Sequence, residues 1–321
     1  MNTKRPEIEM RKYYNNDDSG KVFLLVILFQ LLLSLVVSLL IGQIAAAKEI
    51  DPKTITSNIW YILANVALNI LVYFLVYFLF SRYRQIELKA VKVDFKMKWH
   101  TYFIVVAIGI IALLGSQYFI GAVDELLKIV GYPLSSGVGI NPTNFGSFIL
   151  AVVIYCLVPA VCEELIFRGI IFNGLNRRFK TPVAITLSAL LFALFHVSLQ
   201  QLVYPFILGM IMAWVVARTG SIVASMIIHF VNNFLVVLMA YLSNVTSFSM
   251  DLPHVWWSYL VAAALLLVMG LIFFLIDKFY FKGRNKEEIE KEEKTSVFLY
   301  VAISVGVAIF LVMTILNFVI K

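Results

Sequence analysis

The sequence predicts an all-α protein, a polytopic bundle of about eight to nine transmembrane helices. Three observations carry that expectation. Hydrophobic residues make up 61% of the chain and charged residues only 14%, where a soluble domain has roughly a quarter charged. Apolar residues fall in runs near the ~20 needed to cross a ~30 Å hydrocarbon core. Lys and Arg gather in the short linkers between those runs. A soluble core could not hide this much apolar surface, because such cores stop growing near ~250–300 residues.

In chain order the runs cover 22–47, 58–80, 101–122, 146–175, 182–199, 201–217, 221–242, 256–276 and 296–320, with a blurred boundary between the fifth and the sixth. They divide the chain into a cytoplasmic tail (1–21), N-terminal helices and loops (22–145), a core (146–242) and C-terminal helices (243–321) with a charged linker at 282–295. No internal repeat or soluble domain is visible. Ala45, Ala46 and Ala47 resemble a signal cleavage site, but the first run exceeds the ~7–15 residues of a signal core and a long tail with acidic residues precedes it, so an uncleaved helix is expected. The charge run 286–294 (KEEIEKEEK) has helical spacing and reads as a solvated connector. Trp256 and Trp257 fit an interfacial anchor.

The net charge of +7 does not point to nucleic acid, since there is no basic face and no nucleic-acid motif. With nine spans, the basic groups at Lys4–Lys21, Arg82–Lys98, Arg177–Lys180, Arg218 and Lys278–Lys294 all fall on one side. Only Lys48, Lys53, Lys128 and Lys321 are left opposite. Basic loops stay on the cytoplasmic side, so a cytoplasmic N-terminus in a plasma membrane is expected, and the composition suits a bacterium. Cys156 and Cys162 lie six apart on one run, point to different faces, and read as unbridged packing residues.

Ionisable residues inside a membrane are costly and mark function. Most runs have none; the exceptions are Glu163, Glu164 and Arg168 in the fourth, His196 in the fifth and His229 in the seventh. His100 and His254 lie at loop edges and read as surface residues. Counted from the basic ends at ~1.5 Å per residue, Glu163 lies ~18 Å deep, His196 ~22 Å, His229 ~13 Å and Asn233 ~20 Å. Polar groups from three separate helices therefore reach a similar level.

Spacing divides their roles. Glu164 and Arg168, four apart, share a face and can pair. Glu163 lies about a hundred degrees round the helix from Glu164 and is free to meet a different partner. A desolvated carboxyl beside a histidine suits proton transfer. His229 and Asn233, one turn apart, can both donate hydrogen bonds to an oxyanion. The bland alternatives are structural glutamates, His196 as interhelical glue, and Asn233 as a packing residue like Asn65, Asn69 and Asn232. Gly169 and Pro159 are ordinary in membrane helices.

These residues fall into a pattern. Glu163-Glu164-Leu165-Ile166-Phe167-Arg168, Phe192-Ala193-Leu194-Phe195-His196 and His229-Phe230-Val231-Asn232-Asn233 resemble, in order and spacing, the three motifs of the CAAX-protease and bacteriocin-processing (CPBP, or Abi) family. The resemblance covers about 146–242. Each motif alone is weak; three in order on successive membrane helices are specific.

The resemblance implies an all-α, CAAX-protease-like core and an intramembrane endopeptidase. Its substrate would be a membrane-associated protein or peptide, with CAAX-type or bacteriocin-type processing and immunity as the implied settings. By it, Glu163 and His196 activate water, His229 and Asn233 hold the oxyanion, and Glu164, Arg168 and Phe192 give structural support. Two histidines and a glutamate (Glu163, His196, His229) could bind one zinc with an open position, although no His-Glu-x-x-His helix is present. A metal-free carboxylate–histidine pair uses the same atoms. Two other classes compete. One is a non-catalytic scaffold or immunity protein on the same fold. The other is a proton-coupled transporter, which predicts inverted repeats that this sequence lacks.

Overall fold

A computed structural model describes residues 13–134, 142–246, 256–282 and 294–319, without the side chains of 88, 89 and 256. Lys4, Arg5, Arg11, Lys12, His254, the Trp256 side chain and the charge run up to 293 lie outside the described residues.

The described elements are helices, with no strand among them. In chain order they are α1 (Asn16–Lys48), the short α2 (Pro52–Thr56), α3 (Ile59–Tyr83), α4 (Trp99–Ile129), α5 (Phe145–Arg178), α6 (Thr181–Phe195), α7 (Val203–Thr219), α8 (Ile222–Val245), α9 (Trp257–Tyr280) and α10 (Val297–Val319). A 3-10 turn at Leu88–Val91 leads towards α4. Each expected apolar run becomes a helix. Seven of them, namely α1, α3, α4, α5, α8, α9 and α10, are long and apolar enough to cross a membrane. The other two, α6 with 15 residues and α7 with 17, are shorter than the ~20 residues that a ~30 Å core demands.

The fifth run also stops earlier than its hydropathy indicates. α6 ends at Phe195, and His196 is its C-cap. Val197 then takes a left-handed backbone with φ 47°, so the chain turns away immediately after the histidine. Tyr132, between α4 and α5, receives the Leu199 N–H on its hydroxyl at 3.1 Å and fixes that turn from outside.

The interior is built around α5, α6, α7 and α8: Phe167, Ile170, Phe172, Leu191, Met212 and Ile228 are buried. Large apolar residues on the outer faces, such as Leu35 and Leu39 of α1 or Leu267 and Leu271 of α9, remain exposed. In a membrane protein those faces meet lipid, while helices satisfy their own backbone groups.

The polar ends of several helices meet on one side. Arg84 Nε reaches Asp18 Oδ1 at 2.7 Å, and Tyr14 bonds Ser81 at 2.8 Å. Asp17 accepts from Ser296 Oγ at 2.7 Å, and Arg178 Nε donates to Thr295 Oγ1 at 3.0 Å. Ser221 Oγ donates to the Asp94 carbonyl at 2.5 Å. The start of α1, the α3–α4 connection, the α5–α6 turn, the α7–α8 turn and the entry to α10 are thus gathered together. These are the segments that hold the basic groups. Cys156 and Cys162 are buried and unbridged, as their spacing requires.

Candidate functional site

α5 carries the two glutamates and is not a uniform α-helix. Two π-helical stretches, Val152–Leu157 and Leu165–Phe172, flank an α segment at Val158–Glu164. Such wide turns concentrate at functional sites because they re-aim the side chains beside them. Pro159 begins the α segment and has no N–H to return to the carbonyl of Tyr155 four residues back. That carbonyl instead accepts from Asn233 Nδ2 of α8 at 2.8 Å. The proline is therefore more than an ordinary membrane-helix residue here, because it opens a docking point for the motif asparagine.

Glu164 and Arg168 pair as their spacing predicts, Nη1 to Oε1 at 2.8 Å, with both side chains fully buried. Arg168 Nη2 donates to the Gly209 carbonyl of α7 at 3.2 Å, and the guanidinium lies 4.4 Å from the Phe192 ring centre. A buried charge of this kind persists only when paired and hydrogen-bonded. The pair joins α5 to α6 and α7.

His229 stands between the two glutamates. Its Nδ1 lies 3.0 Å from Glu164 Oε1, and its Nε2 lies 4.0 Å from Glu163 Oε2. Glu163 was expected to face a partner different from that of Glu164; both reach the same imidazole, from opposite ring nitrogens. The Glu163 side chain retains 15% exposure against none for Glu164, so Glu163 is the glutamate open to a substrate or water.

His196 is placed from below by its own helix. Its Nδ1 lies 2.9 Å from the Phe192 carbonyl. A carbonyl only accepts, so that nitrogen carries the hydrogen and Nε2 of the neutral ring is left as an acceptor. Phe192 packs edge-on against both histidines, with ring centres 4.9 Å from His196 and 6.1 Å from His229. No ion pair joins Glu163 to His196 directly, so the expected Glu163–His196 couple is not formed as a contact. The imidazole nearest Glu163 is that of His229, which Glu164 holds from its other ring nitrogen.

The expected His229–Asn233 donor pair is also modified. Asn233 Nδ2 bonds the Tyr155 carbonyl, and its Oδ1 accepts from Asn232 Nδ2 at 3.2 Å. Asn232 Oδ1 in turn accepts from the Tyr204 hydroxyl of α7. Asn232, Tyr204, Tyr155, Pro159 and Gly209 all belong to this site, and the motif spacing alone did not find them. Asn232 differs from Asn65 and Asn69 in adjoining a motif residue, which was the available signal.

A metal centre made of Glu163, His196 and His229 does not fit. Among the described residues no three His, Cys, Asp or Glu side chains come together as a ligand set.

The family model for Type II CAAX prenyl endopeptidase Rce1-like proteins matches residues 145–235, which span α5 to most of α8. The "Putative membrane peptidase YdiL" of Bacillus subtilis (strain 168) is 31% identical over 90 residues, 28% of this chain and 37% of the relative. The "UPF0177 protein YxdF" of Lactococcus lactis subsp. lactis (strain IL1403) is 32% identical over 74 residues, 23% of this chain and 40% of the relative. The chain thus spans less than half the length of either curated relative. No solved structure matches. The apolar helical bundle defines an integral membrane protein, and its α5–α8 core is the part that is similar to membrane peptidases. Residues 145–235 are thus similar to the Rce1-like CAAX prenyl endopeptidase core, which supports the CPBP resemblance for that part of the chain.

Proposed function

We propose that this protein is an intramembrane endopeptidase that hydrolyses a peptide bond of a membrane-associated protein or peptide. One observation carries the reading: Glu163 and Glu164 hold the His229 ring between them while Glu163 keeps access to the site. The 4.0 Å between Glu163 Oε2 and His229 Nε2 is too long for a hydrogen bond. It leaves room for one water that bonds each group at about 2.8 Å.

In this mechanism Glu163 takes the proton of that water as oxygen attacks the scissile carbonyl. The bare Nε2 of His196 is the second base of the mechanism, on a ring that packs against the same Phe192 as His229. Asn233, with one Nδ2 hydrogen on Tyr155, offers the other to the oxyanion, while His229 Nε2 holds the attacking water opposite Glu163. Glu163 then returns the proton to the leaving amide nitrogen. Glu164 and Arg168 orient His229 without touching substrate. No metal takes part in any step.

The charge-sorted loops support a cytoplasmic N-terminus, and the bacterial relatives support a bacterial plasma membrane. CAAX-like or bacteriocin-leader processing are the substrate classes that the family likeness offers.

The test is purified wild type against Glu163→Gln and His196→Ala on a peptide library in a membrane mimic, with and without chelator. Loss of a positioned acid–base group costs about 10²–10⁴-fold, and cleavage by the wild type survives chelation. Full cleavage by Glu163→Gln sinks the mechanism. A Glu163→Ala chain that keeps full cellular function favours the scaffold or immunity role.

A further inference from the structure

We infer that a cleft remote from the glutamate–histidine cluster binds the phosphate headgroup of an anionic phospholipid. The cleft has a volume of about 280 Å³ and is lined by Lys96, Met97, Lys98, Thr101, Arg218, Thr219 and Phe281. That is below the ~300–1,000 Å³ typical of pockets for whole small-molecule ligands, and it suits a headgroup.

Its walls are fixed. The segment before α4 is pinned to the α7–α8 turn by Ser221 Oγ to the Asp94 carbonyl (2.5 Å) and by the Ile222 N–H to the Lys92 carbonyl (3.2 Å). Arg218 is held by Asp277 through Nε–Oδ1 at 2.5 Å and Nη2–Oδ2 at 2.6 Å, and Trp214 Nε1 also donates to Asp277. Thr101 bonds the Tyr280 hydroxyl at 2.7 Å.

Three cations line the cleft, and Asp277 neutralises one of them, Arg218. Asp94 turns its carboxylate onto the Lys96 backbone N–H at 2.8 Å. The Lys96 and Lys98 ammonium groups form no ion pair among the described residues, so the cleft keeps an uncompensated positive charge.

Two further features select a lipid phosphate. α4 begins at this cleft, and its N-cap, Lys98, supplies no side-chain cap to the first-turn N–H groups. An open helix N-terminus beside cations favours an anion. The aromatics Phe95, Trp99, Phe103 and Phe279 nearby are largely exposed, as residues of a membrane interface are. Met97 and Phe281 add apolar lining where the glycerol backbone would enter. A soluble phosphate makes no use of those surfaces, whereas a phospholipid does.

Native mass spectrometry of the full chain in detergent tests this, with phosphatidylglycerol, phosphatidylcholine, glycerol 3-phosphate and inorganic phosphate as probes. Phosphatidylglycerol is retained in preference to phosphatidylcholine. A basic side chain near an anionic headgroup is worth about fivefold in affinity, so Lys96→Gln with Lys98→Gln weakens retention about 25-fold. Lys96→Arg with Lys98→Arg keeps it, which separates charge from folding, and Glu163→Gln leaves it unchanged. Equal retention of the two lipids, failure to retain phosphatidylglycerol, or unaltered binding by the double Gln variant overturns the assignment. Glycerol 3-phosphate or phosphate binding as tightly as the lipid also overturns it, in favour of a soluble anion.

Discussion

Asn233 of α8 donates from Nδ2 to the Tyr155 carbonyl at 2.8 Å, four residues before Pro159 in α5. The proline has no N–H for that carbonyl, so the asparagine serves as a side-chain replacement for a helix bond while it stands one turn from His229 of the glutamate–histidine cluster. One residue thus joins two helices and leaves a donor hydrogen over for chemistry.

Asn233→Ala should therefore cost both stability and activity. Withdrawing a donor from a carbonyl away from water costs about 1–3 kcal/mol. Thermal unfolding in detergent, measured beside peptide cleavage, separates the two effects. If Asn233→Ala unfolds like the wild type, the Tyr155 bond is not holding α8 on α5.

The Glu164–Arg168 pair makes a second prediction. Both side chains are fully buried and 2.8 Å apart, so removing one leaves an uncompensated charge and costs about 3–5 kcal/mol. Glu164→Gln and Arg168→Leu should each be more destabilising than expected from their contacts, and the double variant should lose less than the sum of the two. Arg168→Lys should not rescue, because an ammonium cannot pair with Glu164, reach the Gly209 carbonyl and stack on Phe192 at once. A double-mutant cycle on unfolding midpoints reads the coupling; additive losses would refute it.

Helix contact at α1 is a third test. A Cβ on Gly20 would fall 2.5 Å from the main-chain carbonyl carbon of Phe298, so α1 and α10 touch backbone to backbone there. Gly20→Ala must push the helices apart, and overpacking of this kind costs about 1–3 kcal/mol. Gly42, on the same helix, would bring a Cβ into open space, so Gly42→Ala should gain up to about 1 kcal/mol from helix propensity. Equal midpoints for the two variants would show that the close approach at Gly20 does not matter.

The comparison of sequence and structure divides along physical lines. Hydropathy placed each apolar helix, because lipid demands a continuous apolar run for every span. The i, i+4 rule placed Glu164 on Arg168, because both residues are on one helix and that geometry is local. Partners across helices were less legible. Glu163 was assigned to His196, but its closest imidazole is that of His229, since the rotation of α8 against α5 depends on packing that no spacing encodes. The π turns in α5 had no hydrophobic signature either: they change which residue faces the site without changing composition. The end of α6 at Phe195 was hidden because Val197, Leu199 and Leu202 continue the apolar character past the last helical residue.

Val197 provides the last test. It follows His196 directly and holds φ at 47°, a left-handed conformation that is a genuine outlier for a β-branched residue. Such strain costs about 1–3 kcal/mol and persists only when the surroundings impose it. Here they do so by the Val197 N–H bond to the Leu194 carbonyl at 3.2 Å and by Tyr132 holding Leu199. Val197→Gly should relieve the strain, offset in part by the extra freedom of glycine in the unfolded chain, and unfold at or above the wild-type midpoint. Val197→Pro cannot adopt a positive φ and lacks the N–H, so it should destabilise the turn and move His196 away from Phe192. A fall in stability for Val197→Gly, or an unaffected Val197→Pro, would show that the turn after His196 is not locked as the structure has it.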